Sequence, residues 1–287
     1  MTLSVDKFLK RIVAPDAEAS GLNKLAENPV GTVKAAELAA QLHDYTHGIN
    51  SDPVAAFAIV FSALIHDVDH RGVSNTQLGV EEEALKEKYQ NKSIAEQNSL
   101  DLSWGLLMSE KFKDLKKYLF VTADELARFR QVVVNVVLAT DIFDKELNGL
   151  RKARWNKAFS TEAGSKNESN GLRATIVIEH IMQASDVSHT MQHWHIYTKW
   201  NKKLFHEMIK AHRAGRMGVD PATFWYKGEI GFFDNYIIPL AKKLKDCKVF
   251  GDANSDQCLV YAKKNRDEWA EKGEEIVAAY IEEFKNL

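Results

Sequence analysis

An apolar segment that runs directly into a cluster of polar side chains is the feature that most constrains this chain. Residues 53–65, PVAAFAIVFSALI, are apolar on most faces of a helix and predict a buried central helix. The residues that follow read His66-Asp67-Val68-Asp69-His70. Placing polar groups behind a buried helix costs free energy unless something pairs with them. The cluster therefore requires a partner.

The residue types in this cluster suit a metal ion. His66 and His70 are four residues apart and would share a helix face, whereas Asp67 turns toward a neighbouring face. Imidazole nitrogen and carboxylate oxygen are ligands for zinc, manganese and magnesium. The alternative is a pair of satisfied histidines beside two surface aspartates at a helix end. The cluster by itself leaves both interpretations open.

A second apolar segment also ends in an aspartate. Residues 176–188 read IVIEHIMQASDVS, which predicts another buried helix, terminating at Asp186. Two such helices could bring Asp67 and Asp186 to opposite sides of one ion. Taken alone, Asp186 is an ordinary helix-end residue or cap. The metal hypothesis therefore depends on whether His66, Asp67 and Asp186 meet.

The rest of the sequence predicts an all-α fold. Apolar residues return every three or four positions, and five prolines in 287 residues are few for a loop-dominated protein. Ser93 with Glu96, and Thr122 with Glu125, have the spacing of capping boxes at helix starts. The β-branched run at 132–138 follows the second box, and its length and capped start favour a helix. We predict a single domain over residues 1–287, because the chain contains no internal repeat or long linker.

Further helices and two connections follow from the same patterns. Helices are predicted at residues 172–184, 191–212, 231–245 and 256–284. Ser160–Gly171 predicts an exposed loop, and Ala211–Ala222 predicts a second irregular connection.

Charge and cysteine usage exclude several classes of protein. With 38 Lys+Arg against 40 Asp+Glu, the net charge is −2, which argues against a dedicated nucleic-acid or membrane-surface binder. No apolar run approaches the roughly 20 residues that span a bilayer, and no signal-peptide pattern is present. Cys247 and Cys258 are too few for a disulfide framework, which indicates a reducing compartment. We expect a soluble, cytoplasmic protein.

Four ordered segments extend the pattern beyond the His-Asp pair. They are HDVDHRGVSN at 66–75, VLATD at 137–141, ASDVS at 184–188, and GEIGFFD at 228–234 followed by IPL at 238–240. Together they resemble the catalytic domain of class I 3′,5′-cyclic nucleotide phosphodiesterases, members of the His-Asp metal-phosphohydrolase superfamily. The order and approximate spacing match, and the resemblance covers most of residues 54–270.

The resemblance implies an all-helical domain with a deep pocket for two divalent metals, zinc and magnesium or manganese. His66, Asp67 and Asp186 match metal ligands, with Asp67 bridging both ions. Positions that support metal-bound waters are matched by His70, Glu96 and Thr140. Leu204 and Phe232 match the two sides of a hydrophobic clamp around a purine, and Glu229 stands where a purine-reading glutamine is usual.

The activity that this implies is hydrolysis of cAMP, cGMP or both to 5′-monophosphates in cyclic-nucleotide signalling. A hydroxide held between two cations attacks the cyclic phosphorus in line, and the metals neutralise charge on the phosphoryl oxygens. The implied partner is a small-molecule cyclic nucleotide, with no nucleic acid and no membrane segment. Two alternatives stay open: another nucleotide phosphohydrolase with the same His-Asp core, and a catalytically crippled remnant that binds cyclic nucleotide. The GEIGFFD segment favours the phosphodiesterase.

Most of these positions also have an ordinary structural explanation. Glu96 is accounted for by the Ser93 capping box, and Thr140 by a bond to the backbone. Leu204 and Phe232 are apolar at helical spacing and would by default be core residues. His70 could be a satisfied structural histidine.

The chain departs from the family pattern at its N-terminal end. The family carries an HNxxHAxxV segment whose first histidine protonates the leaving oxygen and whose second binds metal. Residues 1–13 resemble the helix that follows that segment, so we expect both histidines to precede residue 1 and assign no catalytic general acid. His43 and His47 superficially imitate HNxxH, but GINSDP at 48–53 breaks the helix after them. Loss of a positioned general acid costs about 10²–10⁴-fold in rate, which leaves the activity of this chain open.

Three further substitutions bear on the site. Asn98 lies where the family tends to have histidine, and His189 replaces an asparagine. Glu229 replaces glutamine, and an ionised carboxylate only accepts hydrogen bonds, whereas an amide also donates. Because adenine and guanine both carry N–H donors, base preference stays open.

Overall fold

The structure is a computed structural model that describes residues 1–12, 40, 42–159, 166–250 and 256–285, without the side chains of 166–169. Within these ranges the regular structure is helical and no strand occurs, so the all-α prediction is confirmed. The α-helices, in chain order, are α1 Thr2–Lys10, α2 Pro53–Ile65, α3 Asn75–Glu81, α4 Glu83–Lys88, α5 Ile94–Met108, α6 Lys113–Leu119, α7 Ala123–Leu138, α8 Lys145–Phe159, α9 Lys166–Asp186, α10 Trp194–Arg213, α11 Trp225–Phe232, α12 Ile238–Asp246 and α13 Gln257–Phe284. A helical turn at 42–45, four short 3₁₀ segments and a π-helical turn at Phe233–Ile237 complete the regular structure.

The chain divides into two compact units. Unit 1 comprises Met1–His66, Leu100–Asp186 and Leu244–Ser255, and unit 2 comprises Asp67–Ser99, Val187–Lys243 and Asp256–Leu287. The prediction of one domain over residues 1–287 stays a prediction, because compact units of one chain can belong to a single folding domain.

The core of unit 1 lies where α2 packs against α7. Phe129 on α7 is fully buried there, and its ring lies 5.3 Å from that of Phe57 and 4.8 Å from that of Phe120. Helix α1 packs against α2 and α9, and α8 also packs against α9. These contacts hold α2 and α9 in one unit, and both helices end in residues of the predicted metal cluster.

Helix α2 forms as predicted, and one of its faces is exposed. Asp52 caps its start by accepting a hydrogen bond from the Ala55 amide. Ala58 and Ile59 are fully buried, whereas the Leu64 side chain is 68% exposed. Most residues of α2 are buried or half-buried, as predicted, and the exception is the face that carries Phe57 and Leu64. The small side chains face the neighbouring helices, since they allow a close approach, and part of the bulky set faces outward.

Helix α7 confirms the prediction for the β-branched run. The Thr122 hydroxyl accepts from the Glu125 amide, and the Glu125 carboxylate accepts from the Thr122 amide, so the capping box is complete. The helix continues through 132–138 to Leu138. A capped start and tertiary packing outweigh the strand preference of valine.

Unit 2 is organised around α13. Helices α10 and α11 and the 3₁₀ segment Ser188–Met191 pack against it. Trp269 at its centre is fully buried, and Gly273 lies so close that an added Cβ would come within 2.8 Å of the Trp269 ring. The buried Asn265 side chain donates to the carbonyls of Thr190 and Gln192. This amide fixes the segment that follows Asp186.

The connections agree in part with the sequence. Helix α9 begins at Lys166, so the predicted loop Ser160–Gly171 is wrong in its second half, while residues 160–165 lie outside the described residues. The irregular connection predicted at Ala211–Ala222 is present: α10 ends at Arg213, and only a short 3₁₀ turn, Pro221–Thr223, follows. The helix predicted at 231–245 begins earlier, at Trp225, and contains the π-helical turn. The ends of a helix depend on tertiary packing and on capping in the loop before it, so a periodic pattern places them only approximately.

In the part of the chain that the structure describes, no helix combines the length and apolarity required to cross a bilayer. Cys247 is buried, Cys258 is half-buried, and the two are not joined by a disulfide.

Candidate active site

The C-terminal ends of α2 and α9 lie side by side. His66 caps the end of α2, and Asp186 is the last residue of α9. His66 Nε2 lies 3.5 Å from Asp186 Oδ1. Asp67 directly follows His66, and one ligand atom from each of the three side chains lies within 4.8 Å of the other two. The three residues that the metal hypothesis required to meet are therefore together, while their role as ligands stays a prediction.

The His66 ring is held in one orientation. Its Nδ1 lies 3.1 Å from the Ala63 carbonyl oxygen, which only accepts, so Nδ1 carries a proton and donates it. The ring is 9% exposed, and Asp186 is 38% exposed. With Nδ1 protonated, the lone pair of the neutral ring is on Nε2, the atom that faces Asp186.

This donor set fits a divalent cation. Two ligands of a tetrahedral ion at about 2.1 Å are about 3.4 Å apart, close to the 3.5 Å between His66 Nε2 and Asp186 Oδ1. Two carboxylates this close repel each other unless a positive charge lies between them. The neighbouring Ser185 hydroxyl is buried and has no hydrogen-bond partner among the residues described. One imidazole and two carboxylates thus form a compact set of hard and borderline ligands.

The segment after Asp67 is ordered by α5, within unit 2. The Ser99 hydroxyl donates to the Val68 carbonyl at 2.7 Å, and the Asn98 amide donates to Asp69 Oδ2 at 3.3 Å. Asp69 has a left-handed backbone with φ of 62°. Asn98, a departure from the family pattern, thereby fixes a strained residue of the His-Asp loop.

Glu96 is paired with a residue that sequence reasoning did not single out. Asn75 Nδ2 donates to Glu96 Oε2 at 3.0 Å, and Asn75 Oδ1 accepts from the Ala95 amide at 2.9 Å. Asn75 is the last residue of HDVDHRGVSN, so its position in the motif was the sequence feature that could have identified it. The pairing orients the Glu96 carboxylate independently of the predicted Ser93 capping box.

The other two predicted water-supporting residues have local partners. His70 is exposed, and its Nδ1 accepts from the Gly72 amide at 3.2 Å. The Thr140 hydroxyl donates to the Val137 carbonyl at 2.7 Å, as the structural alternative for this residue expected. A catalytic role for either stays a prediction.

Glu229 on α11 is held by a buried network within unit 2. Tyr197 donates to Glu229 Oε2 at 2.7 Å. Asn201 donates to the Tyr197 hydroxyl at 3.4 Å and accepts from Trp225 Nε1 at 3.2 Å. Burial raises the pKa of Glu229 to about 6, although bonds from Tyr197 and Asn201 oppose the rise. Sequence reasoning missed these three supporting residues, although Tyr197 and Asn201 have the i, i+4 spacing of one helix face.

The two predicted clamp residues differ in environment. Phe232 is half-buried and stacks on Tyr236 with a 5.3 Å ring separation, next to the π-helical turn. Leu204 on α10 is 43% exposed, so the default interpretation of this residue as core is wrong. Exposed apolar side chains of this kind are available to a ligand.

His43 and His47 lie at the opposite end of α2 from His66. Both line a cavity beside the start of α2, together with Asp52 and Ala55. The 13 residues of α2 separate this end from His66, a rise of about 20 Å. This placement argues against the two histidines substituting for the HNxxH segment.

The family of the chain follows from its sequence. A family model described as 3'5'-cyclic nucleotide phosphodiesterase matches residues 40–255. The chain belongs to the 3'5'-cyclic nucleotide phosphodiesterase family. Members of this family use divalent metals, and the match includes the His66, Asp67 and Asp186 cluster.

Individual relatives are distant. The chain is 22% identical over 201 residues to mouse (Mus musculus) dual specificity calcium/calmodulin-dependent 3',5'-cyclic nucleotide phosphodiesterase 1B. The aligned region covers 67% of this chain and 35% of that protein. It is 24% identical over 203 residues to the human (Homo sapiens) 1C enzyme of the same description, covering 66% of this chain and 26% of that protein. This chain therefore spans about a third of the length of such relatives.

A solved phosphodiesterase has the same fold. The phosphodiesterase domain of the RhoPDE fusion protein from the choanoflagellate Salpingoeca rosetta superposes with a TM-score of 0.64 at 20% identity. The superposition covers 80% of this chain and 71% of that one.

Proposed function

We propose that this chain hydrolyses 3′,5′-cyclic nucleotides to 5′-monophosphates, with His66, Asp67 and Asp186 holding divalent cations. The observation that carries the proposal is the convergence of these three side chains at the ends of α2 and α9. A family model that matches residues 40–255 supports the reaction type. The curated relatives named above carry this activity in their descriptions.

The chain's own residues have defined tasks in this proposal. The Ala63 carbonyl holds His66 so that Nε2 faces Asp186. Asp67 and Asp186 supply the negative charge that retains cations. Zinc and magnesium, when bound, would supply a nucleophilic water near neutral pH and neutralise charge on the phosphoryl group.

On the nucleotide side, we assign base recognition to Glu229, with Leu204 and Phe232 against the faces of the purine. Tyr197 fixes the Glu229 carboxyl by donating to Oε2. An ionised carboxylate accepts only, which favours purine N–H donors and disfavours guanine O6. Guanine N1–H and adenine N6–H₂ both satisfy this requirement, so cAMP and cGMP are both candidate substrates. We further propose a cytoplasmic location, in keeping with two cysteines that are not joined by a disulfide.

The test compares the wild type with Asp67→Ala and Asp186→Ala, in cAMP and cGMP hydrolysis with added Zn²⁺ and Mg²⁺. Asp114→Ala is the matched control, because Asp114 is a 90% exposed aspartate on α6. We expect hydrolysis and bound metal, measured by elemental analysis, to fall in the first two variants and not in the control. Equal turnover by all four proteins would refute the metal assignment. Bound cyclic nucleotide without turnover by the wild type would favour the crippled-remnant alternative.

A further inference from the structure

The cavity that His43 and His47 line lies within unit 1, at the N-terminal end of α2. Its volume is about 580 Å³, within the range of about 300–1,000 Å³ typical of small-molecule sites. Residues from the segment 43–55, from α7 and from α9 line it. Neither the family match nor the metal cluster assigns it a role.

The cavity is lined in part by side-chain amides. Gln131 and Asn135 lie one turn apart on α7 and line the cavity, Gln131 as an exposed side chain and Asn135 as a half-buried one. Asn170 on α9 lies beside the His47 ring, whose buried Nδ1 has no hydrogen-bond partner in the described part of the chain. Side-chain amides both donate and accept. The cavity therefore presents donors and acceptors on two sides.

The two charged side chains that line this cavity, Arg128 and Asp52, pair with each other. Arg128 donates to both oxygens of Asp52, which also accepts from the Ala55 amide. Burial, and secondarily the Arg173 charge, lowers the pKa of His47, so the ring is neutral at pH 7. Among the lining residues, the charges of Arg128 and Asp52 compensate each other, and Arg173 acts on His47 from outside the lining. An anion or a cation would lose its hydration without a counter-charge.

Apolar side chains on two helices provide the remaining walls. Val132 and Val136 stand one turn apart on α7, and Ala174 and Ile178 one turn apart on α9. Val136 and Ile178 are buried. Apolar faces combined with amide groups suit a flat, uncharged ring whose edge alternates hydrogen-bond donors and acceptors.

We propose that this cavity binds an uncharged heterocycle of nucleobase or nucleoside size, with Gln131, Asn135 and Asn170 reading its edge. The site is separated from the metal cluster by the length of α2. Binding here does not depend on the proposed hydrolysis. The cavity and the metal cluster lie at opposite ends of the same two helices, α2 and α9.

Calorimetric titration of the full chain with adenosine, guanosine and uridine, in chelator, tests the proposal. We expect at least one of them to bind with a Kd below about 1 mM. Ala174→Phe fills the cavity and should abolish binding, whereas Ala153→Phe, at an exposed alanine on α8, should not. Asn135→Leu keeps the volume and removes the amide, so it should weaken binding about tenfold.

Two further measurements separate the alternatives. Glu229→Ala should leave nucleoside binding unchanged, because Glu229 belongs to the proposed substrate site in unit 2. Loss of binding in that variant would place the nucleoside in the substrate site and overturn the proposal. Binding that is unaffected by Ala174→Phe or Asn135→Leu would overturn it as well. Inorganic phosphate should not bind at the cavity; phosphate binding that Ala174→Phe removes would show an anion site in place of a heterocycle site. Circular dichroism melts establish that each variant is folded.

Discussion

His66 Nε2 and Asp186 Oδ1 lie 3.5 Å apart, although the two residues are 120 positions apart in the chain. The contact exists because α2 and α9 end at the same place. Each helix ends in a polar residue. In the middle of a buried helix the same residue would place a charge in the core, which costs free energy. The arrangement assembles a ligand set from distant parts of the sequence.

Metal removal should destabilise the protein. A cation that binds the native cluster and not the unfolded chain stabilises folding by about 2.7 kcal/mol when its concentration is 100 times the Kd. We expect a chelator to lower the Tm of the wild type and to leave that of Asp186→Ala unchanged. Differential scanning calorimetry with and without Zn²⁺ measures this. An equal response of the two proteins would mean that Asp186 holds no metal.

Glu229→Gln should change how stability depends on pH. The folded-state pKa of Glu229 is about 6, above the ordinary 4.5, because the carboxyl is buried. The folded protein therefore holds this proton more tightly than the unfolded chain, and the associated stability is present below pH 4.5 and lost as pH rises through 6. The loss amounts to about 2 kcal/mol, at 1.36 kcal/mol per pKa unit. Urea denaturation at pH 4 and pH 7 should show that the free energy of unfolding of Glu229→Gln rises relative to that of the wild type only at pH 7.

Tyr197→Phe should raise the pKa of Glu229 further. The Tyr197 hydroxyl donates to the carboxylate and favours its ionised form. Without it, the change in KM for cyclic nucleotide that accompanies Glu229 ionisation should move to higher pH. Tyr261→Phe, at a more exposed tyrosine on α13, serves as the control. A pH profile of KM that is identical in wild type and Tyr197→Phe would rule out this coupling.

Arg154→Ala should be destabilising. Arg154 Nη2 lies 2.9 Å from both oxygens of Glu179, which is 2% exposed. Burial raises the pKa of Glu179, and Arg154 opposes the rise. Because Arg154 is itself 36% exposed, its removal should cost less than the loss of a fully buried partner, about 1–3 kcal/mol for leaving the Glu179 carboxylate without this donor. Guanidinium denaturation should show that loss, with Lys152→Ala, an exposed residue on the same helix, close to wild type.

Two glycine substitutions should act in opposite directions. An alanine Cβ at Gly273 would lie 2.8 Å from the Trp269 ring, so Gly273→Ala should cost about 1–3 kcal/mol through overpacking. At Gly105, in the interior of α5, a Cβ meets nothing within 4 Å. Gly105→Ala should therefore stabilise by up to about 1 kcal/mol, since alanine loses less backbone entropy. Thermal unfolding measures both, and a stabilising Gly273→Ala would contradict the packing.

Local patterns in the sequence determined the elements of this protein. Apolar periodicity predicts α2, and the Thr122 capping box together with periodicity predicts α7, because these features act over one or two helical turns. The resemblance carried by HDVDHRGVSN and three further segments indicated the family, which the match over residues 40–255 shows. Both kinds of signal are contained in short stretches of chain.

Tertiary structure decided which side chains meet and what each one experiences. Nothing near Glu229 in sequence reveals that Tyr197 binds it, or that burial raises its pKa to about 6. Likewise, α2 is apolar all round, yet packing against α1, α7 and α9 buries Ala58 and leaves Leu64 exposed. The reason is that burial and hydrogen bonding depend on helix-to-helix packing between residues far apart in the chain. The pairing of His66 with Asp186 is a product of that packing.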